Sequence, residues 1–103
     1  MRMHLIAAVM ALTAPAFAAE HVVTISGSEY SPTRIAAKVG DTVRFVNEDA
    51  VDHSVFVPTL GHAIDLGATK SGAATVLTLR RAGRIEVECV QHGHMGLIIT
   101  VTR

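Results

Sequence analysis

Cys89, His92 and Met95 stand at three-residue intervals in one short segment, Cys89-Val90-Gln91-His92-Gly93-His94-Met95. A thiolate, an imidazole and a thioether this close together can wrap a single ion. The set runs from soft to borderline, which suits copper in both of its oxidation states. Zinc accepts Cys and His but rarely a thioether. The segment cannot complete a trigonal plane alone, because a second imidazole is missing. His53 is the candidate, at the end of the polar stretch 48–52 and just before the strand-like run Ser54-Val55-Phe56-Val57. The expected centre is His53, Cys89 and His92 in a plane, with Met95 as a weak axial ligand. His94 leaves three alternatives: replacement of His92, a His-x-His pair with it that binds metals adventitiously, or a solvated surface position. His62 and His21 have no partner by spacing and are expected at the surface. Glu86 and Glu88 read as the solvent face of their strand.

The elements that must position these donors fit into one small domain. Residues 1–18 do not belong to it. Arg2 precedes an apolar run, Leu5 to Leu12, followed by a break at Pro15 and the small residues of Ala16-Phe17-Ala18. That succession reads as a secretory signal cleaved after Ala18, and the apolar run is too short to span a bilayer permanently. Removing 18 of the 103 residues leaves 85. With Arg2 gone, 8 Lys and Arg face 9 Asp and Glu, a net charge of about −1. Nucleic acid and anionic membranes both favour a basic excess, so neither is expected as a partner. A domain this small is marginal without reinforcement. One cysteine cannot form an internal disulfide, so a bound metal is the remaining common staple.

No long helical stripe follows the leader. His21–Ile25 reads as a strand, as do the half-buried alternation at 35–39 and Thr42–Asn47, with Val43 and Phe45 on one face and a Gly40-Asp41 turn before them. Ser54–Val57 stops at Pro58. The stretch 58–74 carries three glycines and reads as a loop around one short strand near 64–66. Thr75–Leu79 is a strand. Arg84–Cys89 alternates cleanly, which puts Cys89 in phase with Ile85 and Val87 on the core face. Residues 90–96 read as a loop and Leu97–Thr102 as the closing strand. Seven or eight short strands with turn signals between them predict an all-β fold, an antiparallel sandwich or barrel.

Gly40-Asp41-Thr42-Val43-Arg44-Phe45-Val46-Asn47, a short loop to His53, and Cys89-x-x-His92-x-x-Met95 together resemble the plastocyanin/azurin family of blue-copper cupredoxins. The short copper-loop spacing is most similar to the amicyanins, and Tyr30 with Pro32 resembles the family's N-terminal pattern. The resemblance covers most of residues 20–103. It implies a Greek-key β-sandwich and one copper ion in a type 1 site. By resemblance Cys89 supplies the thiolate of the intense charge-transfer colour. His53 and His92 supply the equatorial imidazoles, with the His92 edge near the surface, and Met95 tunes the potential. The chain departs from the pattern at Ser54, where the family usually has Asn. It departs again at Gln91 and Gly93, where amicyanins have prolines, and at His94, where they have an apolar residue. A softer loop is expected.

These readings predict a periplasmic carrier of single electrons, which leave through the exposed edge of His92, and no enzyme. Three protein ligands and a weak axial one leave no open position for substrate. The resemblance further implies an amine dehydrogenase as donor and a c-type cytochrome as acceptor; the small net charge predicts transient docking, and a monomer is expected. The rival reading is a copper carrier or tolerance protein that hands over metal without electron chemistry.

Overall fold

The computed structural model describes residues 17–59, 64–89 and 92–103. Nine strands run in chain order among the described residues: β1 (Glu20–Ser26), β2 (Glu29–Ser31), β3 (Arg34–Lys38), β4 (Thr42–Asn47), β5 (His53–Val57), β6 (Ile64–Thr69), β7 (Ala74–Thr78), β8 (Gly83–Cys89) and β9 (His92–Thr102). They form two sheets, one ordered β2-β1-β4-β7 and the other β3-β9-β8-β5-β6. The all-β sandwich is as expected.

The core lies between the sheets and is built by alternation. Val23 and Ile25 of β1, Val43 and Phe45 of β4 and Leu77 of β7 face Val55 and Val57 of β5, Ile85 and Val87 of β8, and Leu97, Ile99 and Val101 of β9, all buried. Burying each such side chain is worth about 1.5–3 kcal/mol. Tyr30 closes this layer at one end. Its ring meets Phe45 edge-on, with centroids 5.7 Å apart, and its hydroxyl donates to the Glu88 carbonyl at 2.9 Å.

Three sequence expectations need correction. The sheets are mixed, because β1 pairs with β4 and β3 with β9 in parallel. Gly40-Asp41 therefore does not close a hairpin. It carries the chain from β3 in one sheet to β4 in the other, since each strand finds its buried face on a different layer. Residues 92–96, expected as loop, are strand: β9 keeps pairing with β8 past an irregularity at Glu88/Cys89. His62 lies outside the described residues.

The third correction is His21, which is half-buried and partnered. Its Nε2 lies 2.9 Å from Asp41 Oδ2. The same carboxylate accepts the amides of Lys38 at 2.9 Å and Ala19 at 3.0 Å. The His21 hydrogen bond, then those two amides, pull the Asp41 carboxyl down to about 2. An ordinary Asp in the unfolded chain titrates near 4. The folded value being the lower, the stabilisation is complete above about pH 4 and is lost as pH falls from about 4 to 2. Asp41→Asn is expected to flatten the acid limb of the stability curve in that window, read by thermal melting from pH 5 to pH 2. A limb as steep as that of the parent chain would remove Asp41 from the account.

Candidate metal centre

The β5–β8 pairing brings the two most distant donors together. Val55 lies opposite Cys89 and Phe56 opposite Glu88, so the start of β5 meets the end of β8. His53 is wholly buried and Cys89 is 2% exposed. His53 Nδ1 lies 3.8 Å from Cys89 Sγ. Two donors on one ion, with bonds of about 2.0 Å to nitrogen and 2.3 Å to sulfur at a trigonal angle, sit about 3.7 Å apart. The donor pair therefore fits one metal without rearrangement.

The register of β8 against β9 shapes the rest. Glu88 pairs with Gly96, but the next residue, Cys89, pairs with His92. One step along β8 thus corresponds to four along β9, and 93–95 are the residues the irregularity leaves without a partner position on β8. Met95 is 2% exposed and in phase with Leu97 and Ile99 on the inner face. It also lines a cleft of about 60 Å³ with Glu29, Tyr30, Thr33 and Gly96. The backbone of His92 is thereby set opposite Cys89. Its side chain and that of His94 lie outside the described residues, so the choice between them stays open.

Sequence reasoning missed Asp49, which orients His53. Asp49 Oδ2 lies 2.8 Å from His53 Nε2. The carboxylate also accepts the amides of Gly27 at 2.6 Å and Ser28 at 2.8 Å. Those amides, Ser28's first, and then the His53 hydrogen bond hold its carboxyl below the ordinary range. An ionised carboxylate can only accept, so His53 Nε2 carries the proton and Nδ1 presents its lone pair toward Cys89. A carboxylate behind a ligating imidazole in this way fixes the ring and raises its basicity.

The donors to Asp49 come from the β1–β2 turn. Gly27 and Ser28 both have positive φ, 62° and 58°, as a two-residue hairpin of type I′ requires. Ser28 is held there at some conformational cost, and its amide bond to Asp49 offsets it. Asn47, fully buried, fixes the loop that carries Asp49. Its Nδ2 donates to the Val51 and Thr69 carbonyls at 2.8 and 2.9 Å, and its Oδ1 accepts the Asp49 amide at 2.9 Å. A polar residue in the phase of Val43 and Phe45 was the available sign of this role.

Asp49→Asn cannot offer two acceptor oxygens to three N–H groups. Copper affinity is expected to fall about 10- to 100-fold, read by competition against a chelator. Unchanged affinity would make Asp49 an anchor of the turn alone.

No protein-family model matches the chain. It is 34% identical over 79 residues to the methylamine utilization protein MauL of Methylorubrum extorquens, covering 76% of this chain and 69% of that one. It is 32% identical over 100 residues to pseudoazurin of Paracoccus pantotrophus, covering 89% and 68%. It is 38% identical over 77 residues to amicyanin of Paracoccus denitrificans, covering 72% of this chain but 59% of the relative. Among solved structures, a Cu(I) form of an amicyanin variant matches with a TM-score of 0.72 at 29% identity, over 88% of each chain.

Proposed function

The chain belongs to the cupredoxins, and we propose that it is a periplasmic type 1 copper protein that carries single electrons between redox partners. One observation carries the reading: His53 Nδ1 and Cys89 Sγ face each other at 3.8 Å in a buried site. The amicyanin structures that the fold matches include a reduced Cu(I) form and an oxidised form, which supports redox cycling in this fold.

His53, Cys89, His92 and Met95 would hold the ion. Copper supplies the one-electron couple when bound. The chain's residues do the rest. Asp49 accepts from His53 Nε2 and so leaves Nδ1 as the ring atom turned toward Cys89. Tyr30 holds the carbonyl of Glu88, next to Cys89, and so fixes the direction from which the sulfur approaches. The donors' strands β5, β8 and β9 are neighbours in one sheet, which limits movement between oxidation states. The donor count leaves no open position, so no catalytic turnover is assigned. Partners are a dehydrogenase-type donor and a c-type cytochrome, the MauL relative being named for methylamine utilization.

The test is to export the full chain, add Cu(II) and record visible and paramagnetic resonance spectra, with a chelator challenge on the same sample. A strong blue band with narrow copper hyperfine splitting is expected, and slow loss to the chelator. In Met95→Leu the colour should persist with an altered potential. A pale spectrum with wide splitting would overturn ligation by Cys89 and favour a histidine-based copper carrier at His92 and His94.

A further inference from the structure

We propose that export creates a second metal site, a square-planar Cu(II) or Ni(II) chelate at the new amino terminus, formed by the α-amine of Ala19, the backbone nitrogens of Glu20 and His21 and the Nδ1 of His21. The proposal rests on the reading that the leader is cleaved after Ala18, which makes Ala19-Glu20-His21 the first three residues. A histidine third from a free amine can close three fused chelate rings around one ion, and a planar set of four nitrogens is the arrangement these two metals favour.

The fold prepares the two ends of that chelate. Asp41 gathers both: Oδ1 accepts from Ala19 N at 3.0 Å, and Oδ2 lies 2.9 Å from His21 Nε2. Because Asp41 is ionised, His21 carries its proton on Nε2 and its lone pair on Nδ1. That is the tautomer the chelate needs, with a carboxylate behind the ring as in other metal-bound histidines. The backbone is also accessible. β2 pairs with β1 only at Thr24–Ser26, so among the described residues Glu20–Val23 have β4 as their sole sheet neighbour. Ala19 and Glu20 are exposed. Closing the rings turns both out of the extended conformation and opens the first ladder bonds to β4, from the Thr42 amide to the Ala19 carbonyl and from the His21 amide to Thr42 in the Glu20–Thr42 parallel pairing.

The balance is simple. Each metal ion displaces one proton from the α-ammonium and one from each of two backbone amides, so three protons leave per ion and no electron moves. The site lies at the start of β1, whereas Asp49 and His53 lie beyond the far end of β4, about 15–20 Å along the strands at 3.3 Å per residue. The two sites therefore load independently.

The test uses the exported protein, loaded with copper at its blue site, with its amino terminus read by intact mass. Ni(II) alone is then added. A chain that starts at Ala19 should take up one Ni(II) with a square-planar, diamagnetic spectrum and release about three protons, while the blue band stays. His21→Gln should lose at least a hundredfold in Ni(II) affinity. So should a variant with one alanine inserted between Ala19 and Glu20, which moves the histidine to fourth place. Melting of the two variants checks that both remain folded. A chain starting at Ala19 that ignores Ni(II), or binds it equally in both variants, overturns the chelate. A mass showing cleavage at any other bond overturns it through its premise. Loss of the blue band without loss of Ni(II) uptake would instead count against the reading of the first site.

Discussion

Cys89→Ser is expected to abolish the blue colour and to lower copper affinity by at least about a hundredfold, more than loss of an outer partner such as Asp49 costs. A serine oxygen is a harder donor and stays protonated at neutral pH. It neither holds Cu(I) nor gives the sulfur-to-copper transition. The fold should survive, because the change removes one sulfur and leaves the strand alternation of β8 intact. The buried hydroxyl can take the place of the sulfur beside His53 Nδ1, so the stability lost should not exceed about 1–3 kcal/mol. The pairing of spectra with urea unfolding of the copper-free protein is decisive. Colour retained in a folded Cys89→Ser chain would remove Cys89 from the site. Colour lost together with the fold would move its role to packing.

The largest expected effect on stability comes from Asn47→Ala. Asn47 joins three separate pieces of backbone: Asp49, Val51 and the end of β6 at Thr69. Truncation leaves two carbonyls and one amide without that partner, and the Thr69 carbonyl lies in the buried interior. With one buried group unpaired at about 1–3 kcal/mol and two partly hydrated ones at less, a loss of about 3 kcal/mol follows. In a domain of this size that lowers the melting temperature by about 10–20 °C. The functional signature is faster release of copper to a chelator, because the loop that aims Asp49 at His53 is no longer fixed. Asn47→Asp separates the contributions: it keeps the acceptor for Asp49 N–H and loses both donors. A variant with an unchanged melting point would show that the loop holds itself.

What the sequence disclosed and what it withheld divide along physical lines. The Cys-x-x-His-x-x-Met spacing was legible because ligand chemistry is local. The inward phase of Cys89 was legible because β8 alternates without interruption. Asp49 was not, because a carboxylate in a polar loop looks solvated until the turn at Gly27-Ser28 is folded against it. His21 was missed for the same reason: its partner is 20 residues away. Alternation says which face a strand buries but not which sheet it joins, so the crossing at Gly40-Asp41 read only as a turn. The start of β9 read as loop because glycine and histidine are weak strand formers, and pairing with β8 overrides that preference.

The parallel pairings of β1 with β4 and of β3 with β9 set a clock for the folding chain. β3 and β9 are joined across some 60 residues, and neither parallel pair can form through a tight turn. Assembly dominated by such distant pairings belongs to the slow class, milliseconds to seconds. Until β9 is seated, the thiol of Cys89 is sheltered on the β5 side alone, and in the proposed periplasmic setting it waits in an oxidising place. The interval before closure of the last strand is thus when this protein is chemically most vulnerable. The selection pressure it creates falls on the speed of folding rather than on the finished site.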